Sequence, residues 1–404
     1  MKILRFRGEN ILNKYRWQAI VFVLVAFMLG CNEFIVVGVL SDIAKEYRIP
    51  VATVGYLVTI FATVYAVSTP FITVLTSRFS RYKTLMTLMG IFLVGNTLSG
   101  FAMNYPVLLL SRMMTAMVAG AIISLIMTFA SSIAPREKRA GLVSWIFAGF
   151  SIASVFGVPI GTAISTSYSW HDAFYLISVI SAVTCVLLGW LLPRQVEQVQ
   201  GSIKNQLVLL KDRRIYVGIA LVLFTAATMY AYYTYIRPLL TTALGFSTQS
   251  LNWLLFLIGI MSILSNRLSG RLAERNGLRI MPRFYVADVI LLALLPIGLG
   301  FKFGGLGILL VLSLIVTVIN SPIQIHFLNI AEEEYPQSTV LASSLNSIFF
   351  NFGISLGSAT ASGMLGVAGL NHISWGAAVY AAISLMLAVI LNRVIKQHRQ
   401  NSSL

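Results

Sequence analysis

Residues 335–392 read YPQSTVLASSLNSIFFNFGISLGSATASGMLGVAGLNHISWGAAVYAAISLMLAVILN, without one Asp, Glu, Lys or Arg. A helix rising 1.5 Å per residue needs about 20 residues to cross a hydrocarbon core about 30 Å thick. The run therefore holds two crossings, 340–364 and 374–393, broken near Gly366–Asn371. Working outward, ten more apolar segments of similar length appear: 17–39, 52–75, 84–104, 107–130, 141–163, 173–192, 215–236, 250–267, 283–301 and 306–329. Of the 404 residues, 57% are hydrophobic and 10% charged, and the mean hydropathy is +0.84. Soluble domains carry roughly 25% charged residues. This composition excludes a disordered, fibrous or disulfide-stapled chain and an ordinary cytosolic enzyme. Twelve crossings consume about 240 residues, so no large soluble domain fits between them. The short alternating strands of a membrane β-barrel are absent.

The net charge of +16 would suggest nucleic acid in a soluble protein. Its placement points to orientation instead. With the N-terminus inside, 24 of the 29 basic residues fall on one face; the other holds Lys45, Arg48, Arg112, Arg237 and Lys302. The positive-inside rule then puts both termini in the cytoplasm. The loop after the tenth segment is the exception, with Glu332, Glu333 and Glu334 and no basic residue. Acidic residues weigh little in that rule. Residues 1–16 are basic and polar, and the apolar run behind them is too long for a signal-peptide core, so the first helix is expected to be a retained anchor. Cys31 and Cys185 both lie in apolar runs and read as inert thiols, neither a disulfide nor a metal site.

The longest polar stretch, 193–214, falls at the chain's midpoint and invites a search for duplication. Gly157-xxx-Gly161 recurs as Gly353-xxx-Gly357, Ser77-Arg78-Phe79 as Gly270-Arg271-Leu272, and Tyr56-Leu57 as Trp253-Leu254. All three recurrences agree on an offset near half the chain length. The expected organisation is a six-helix half at 1–192, a cytoplasmic linker at 193–214, and a second six-helix half at 215–404, the parallel-repeat plan of secondary transporters. The fold class is an all-α polytopic membrane protein of twelve helices in two pseudo-symmetric bundles.

Four stretches carry a family resemblance. They are Asn32-Glu33-Phe34-Ile35-Val36-Val37-Gly38-Val39-Leu40-Ser41-Asp42-Ile43-Ala44, the run Gly149 to Thr162 with Gly157, Pro159 and Gly161, Tyr233-Thr234-Tyr235-Ile236-Arg237-Pro238, and Gly270-Arg271-Leu272-Ala273-Glu274-Arg275. From about residue 17 to 393 the chain resembles the major facilitator superfamily, in its twelve-helix drug–proton antiporter branch, and is most similar to bacterial sugar- and arabinose-efflux-type exporters. The resemblance implies a proton-driven exporter of the bacterial inner membrane. It also implies that the Gly149–Gly161 motif forms a bend sealing the cavity, with simple helix packing as the alternative, and that a cytoplasmic gate forms from Arg78, Arg81, Gly270, Arg271, Glu274 and Arg275, with ordinary topology-setting charge as the alternative. There are departures. The first gating loop, Ser77–Lys83, lacks the usual acidic residue, and Ala119 and His171 stand where relatives often carry a polar residue and an arginine.

Glu33 is the most informative residue. It lies about 9 Å inside the first helix from its outer end. A carboxylate there costs a few kcal/mol unless it is paired, protonated or hydrated, so such residues line functional pathways. The bland alternative is a permanent ion pair. Arg112 lies about 8 Å from the same surface; the family resemblance implies that it faces Glu33 and relays its proton, and the alternative is an arginine that snorkels to the headgroups. For substrate, polar and aromatic groups at mid-membrane depth are Asn32, Tyr230, Tyr233, Asn320, Gln324 and Asn346, which suit an amphipathic or ring-shaped ligand; packing is the alternative for each tyrosine. Asp288, about five residues inside the ninth segment, is expected to serve the helix dipole and basic loop groups, with a second coupling role as the alternative. No nucleotide-binding loop, metal site or nucleophile triad is recognisable. The expectation is therefore a monomeric, non-enzymatic transporter without cofactor, powered by a proton gradient, that exports a drug, sugar or nucleoside-like molecule. A proton-symporting importer is the alternative.

Overall fold

The computed structural model describes residues 2–76, 79–134, 136–194, 207–273 and 277–401. Its long helices are α1 (Lys2–Tyr47), α2 (Val51–Thr76), α3 (Arg81–Gly100), α4 (Tyr105–Ile133), α5 (Arg136–Ser167), α6 (Trp170–Leu191), α7 (Arg213–Tyr233), α8 (Thr248–Ala273), α9 (Met281–Gly298), α10 (Lys302–Ile315), α11 (Asn320–Glu334), α12 (Thr339–Val367) and α13 (Ile373–Asn401). Among the described residues, eleven segments are long and apolar enough to cross a membrane, α10 and α11 counting as one. The remaining long helix is α3, whose 20 residues suffice in length but include Arg81, Lys83, Asn96 and Ser99.

Local chemistry sets several boundaries. Asn104 caps α4 by accepting from the Val107 amide at 3.0 Å, with Pro106 in the first turn. Asp212 caps α7 through the Arg214 amide at 2.8 Å. The chain leaves α1 through Arg48 in the left-handed region (φ 55°), just before Ile49-Pro50.

Most helices extend beyond the apolar segments read from sequence, α1 from Lys2 to Tyr47 among them; two further departures fall beside proline. The tenth segment is not one helix: turns at 316–319 separate α10 from α11. Pro322 has no amide hydrogen, and its ring would clash with the carbonyl four residues back. Side chains of α8 fill the gap: the Ser321 amide donates to Ser269 Oγ at 2.9 Å, and Thr317 Oγ1 to Ser265 Oγ at 2.7 Å. The seventh segment, expected to run to 236, leaves regular helix at Tyr233, four residues ahead of Arg237-Pro238.

The chain divides into two compact units, Met1–Tyr47 with Val64–Val199, and Arg48–Thr63 with Gln200–Leu404. In the first, α1 and α5 run parallel and pack through glycine. A methyl group added at Gly149 would meet the Val23 carbonyl oxygen at 2.5 Å, one at Gly38 would meet Thr162 Oγ1 at 2.6 Å, and one at Gly161 would overlap Ile35. Thr162 donates to the Gly38 carbonyl at 3.1 Å, and Ser165 donates to Asp42. In the second unit, Gly353 and Gly357 of α12 lie directly on the α7 backbone at Leu223 and Ala227. The recurring glycine pairs thus seat α5 on α1 and α12 on α7. Lipid is as apolar as a leucine side chain, so close packing of this kind carries helix association in a bilayer. The outward-facing Trp190, Trp253 and Phe303, each at least three-quarters exposed, suit a lipid solvent.

Candidate functional site

Glu33 and Asn32 sit in the interior of α1, where the sequence around them is otherwise apolar. Asn32 is completely buried. Its side-chain oxygen accepts a 2.6 Å hydrogen bond from a terminal nitrogen of Arg112 on α4. Arg112 is 1% exposed, and its guanidinium carbon lies 5.7 Å from the centre of the Phe174 ring on α6. A buried guanidinium is tolerated only when its donors are occupied and its charge is answered. Here Asn32 and the ring face supply part of that, and Glu33 lies within electrostatic range. Glu33 itself is half-buried, and among the described residues it forms no ion pair. The arrangement is a fixed cation beside a carboxylate that is not clamped, which can exchange a proton while the neighbouring charge stays put. Phe174 carried no signal in sequence, because ring stacking depends on how α4 and α6 face each other.

The remaining candidates separate by location. Gly149, Gly157 and Gly161 lie on α5 along its seam with α1, and Pro159 lies within the same helix; a methyl group added at Gly157 would stand 3.4 Å from Cys31 Cα. Tyr230 and Tyr233 are buried on α7 with ring centres 5.9 Å apart, and Tyr230 meets Phe350 of α12 edge-on at 6.4 Å. Asn346 is partly buried on α12 with its side-chain oxygen unpaired. Asn320 opens α11, and Gln324 follows one turn later; both are half-buried. These five belong to the second unit and Asn32 to the first.

Of the expected gate residues, Arg78, Glu274 and Arg275 lie outside the described residues. Arg81 begins α3, while Gly270 and the exposed Arg271 lie near the end of α8. A different charge cluster does form. Arg214, at the start of α7, bonds Asp212 at 2.6 Å and Glu334 at 2.6 Å, and His398 of α13 stands 3.3 Å from Glu334. Burial opposes ionisation of Asp212, but the hydrogen bonds and charge of Arg214 outweigh it and hold that carboxyl below its usual range. The triple glutamate at 332–334 was the visible signal: an acidic loop among basic ones needs a partner.

Asp288 of α9 is buried, and among the described residues neither oxygen has a hydrogen bond or ion pair. Among the described residues the expected contact with basic loop groups is not made; Arg275 of that loop lies outside them.

Comparison with known proteins places this geometry. The sequence model of the Major Facilitator Superfamily matches residues 22–358. An uncharacterised MFS-type transporter of Bacillus subtilis (strain 168), YtbD, is 31% identical over 363 residues, covering 89% of this chain and 92% of the relative. The inner membrane transport protein YdhP of Escherichia coli (strain K12) is 27% identical over 381 residues, 94% of this chain and 97% of the relative. The crystal structure of a bacterial homologue of the human lysosomal transporter Spinster, inward-facing and unoccupied, superposes with a TM-score of 0.74 at 14% identity, covering 95% of this chain and 98% of that one. That last likeness is one of fold. With a family match over most of its length, the chain belongs to the Major Facilitator Superfamily, a family of multi-pass membrane transporters.

Proposed function

We propose that the chain is a proton-coupled exporter of small organic molecules, working by alternating access. Glu33 exchanges the proton, and Arg112 governs its charge. The observation that carries this reading is the half-buried, unclamped Glu33 beside a buried Arg112 that Asn32 holds in place. Protonation of Glu33 leaves Arg112 as a net positive charge; substrate that displaces the proton restores the balance. Binding of one ligand is thereby set against the other, the linkage that exchange requires. The tyrosines of α7 with Asn320, Gln324 and Asn346 supply aromatic faces and amides suited to an amphipathic or ring-shaped substrate such as a drug, sugar or nucleoside. The proton gradient is the energy source, no cofactor is required, and the chain acts as a monomer. The asymmetry of basic residues supports cytoplasmic termini; the relative named an inner membrane transport protein supports the bacterial inner membrane. The Gly149–Gly161 seam supports antiport through its resemblance to the antiporter motif.

A thermal-shift screen across sugars, nucleosides and cationic or neutral drugs selects a ligand. Inside-out vesicles with an imposed pH gradient then test coupling. Ligand addition is expected to release protons from the native protein and not from Glu33→Gln. Release that survives the substitution would overturn the role of Glu33, and ligand accumulation driven into whole cells would identify an importer.

A further inference from the structure

We propose that Asp288 is a second proton-binding site, within the second unit and separate from Glu33. The inference rests on the proton-coupled reading for its place in the cycle, but not for its chemistry. The buried face of α9 is Met281, Tyr285, Asp288, Leu292 and Leu295, a stripe with four- and three-residue steps. Asp288 stands at its centre, 1% exposed, and neither carboxylate oxygen has a hydrogen-bond partner. The other three aspartates are placed differently: Asp42 accepts from Ser165, Asp212 is paired with Arg214, and Asp172 is exposed in the first turn of α6.

Among the described residues, no cation answers a charge at Asp288. Arg283 on the same helix is exposed. Arg214 at the start of α7 is taken by Asp212 and Glu334. Lys302 at the start of α10 donates to the Gly245 carbonyl at 3.1 Å. On α13 no charged residue occurs between 373 and 392, and the hydroxyl of its tyrosine, Tyr380, is bonded to Thr360 at 2.6 Å. The titratable groups within electrostatic range are Tyr232 of α7 and Tyr285, the latter bonded to Thr225 at 2.5 Å. Both are neutral donors, not counter-ions. Ser384 of α13, the helix packed on α9, is likewise buried with its hydroxyl unpaired.

An ionised carboxylate with both oxygens bare in such surroundings is a high-energy species, whereas a carboxylic acid is tolerated. The proton adds to one carboxylate oxygen; no other bond forms or breaks. A group kept only for structure would be paired. One that must gain and lose a proton as the helices around it rearrange has reason to be left without a permanent partner.

Infrared spectroscopy of the purified full-length protein tests this without any substrate. At pH 7 the native protein is expected to show a protonated carboxyl C=O band that shifts when aspartate is labelled with 13C at its side-chain carboxyl, and that vanishes in Asp288→Asn. The labelled native protein is informative even where the variant does not fold. Absence of an aspartate band, or its survival in Asp288→Asn, would overturn the proposal. So would loss of the band on adding sodium chloride at constant ionic strength, which would assign the site to a metal cation. Glu33→Gln is read in parallel. Its failure to alter proton release from vesicles would sink the coupling role of Glu33 while leaving the Asp288 band intact.

Discussion

Arg214 shows how one side chain ties three elements together. Asp212 precedes α7 and Glu334 ends α11; both bond the guanidinium of Arg214, a residue 7% exposed, and His398 of α13 joins them through Glu334. Removing one partner of a buried pair leaves the others uncompensated, so Arg214→Ala is expected to lower stability by about 3 kcal/mol, read by thermal unfolding in detergent. The pH dependence has a definite sign. The folded-state carboxyl of Asp212 is held below its usual value, so the stabilisation is fully present above the unfolded value of about 3.9. It is lost as pH falls through the lower folded value. The native protein should therefore lose stability in that acidic window, and Arg214→Ala should show a smaller acid step. Glu33 and Arg112 could be singled out from sequence because ionisable residues in apolar runs are conspicuous. The Arg112–Asn32 bond could not, since it depends on which faces of α1 and α4 meet.

The helices pack by backbone approach, and glycine position decides where. Gly357 lies on the Ala227 carbonyl and Cα, and Gly353 on the Leu223 carbonyl, so neither neighbour can rotate away. Gly357→Ala or Gly353→Ala is expected to destabilise by about 1–3 kcal/mol through overpacking. Gly90 of α3 has open space around its Cα. There Gly→Ala should stabilise by up to about 1 kcal/mol through helix propensity. Thermal unfolding of the three variants side by side separates close approach from propensity. The glycine repeat was legible as spacing, but its seats on α1 and α7 were not. The break between α10 and α11 escaped the sequence reading because hydropathy does not register a missing amide. Pro322 removes a donor without making the run less apolar, and Ser265 and Ser269, far away in sequence, answer the gap.

The sorting of charge extends over the whole chain and predicts which segments face which compartment. Single cysteines introduced in a Cys31→Ser/Cys185→Ser background should report this with a membrane-impermeant maleimide on intact cells. Arg48→Cys and Lys302→Cys should label from outside, whereas Lys211→Cys and Arg279→Cys should label only after permeabilisation. The opposite pattern would invert the proposed orientation and, with it, the direction of export.

Composition and periodic apolar runs alone determined that this chain is a helical, multi-pass membrane protein. A bilayer demands about 20 apolar residues per crossing and satisfies backbone hydrogen bonds within each helix. Those demands are local, so they are written in consecutive residues. Tertiary structure alone decided which ionisable groups are answered and which are not. Arg112 found Asn32, Glu334 found Arg214, and Asp288 found no partner among the described residues. Such pairings join residues up to 120 positions apart. They depend on the rotation of each helix about its own axis, which close packing fixes and hydropathy does not encode.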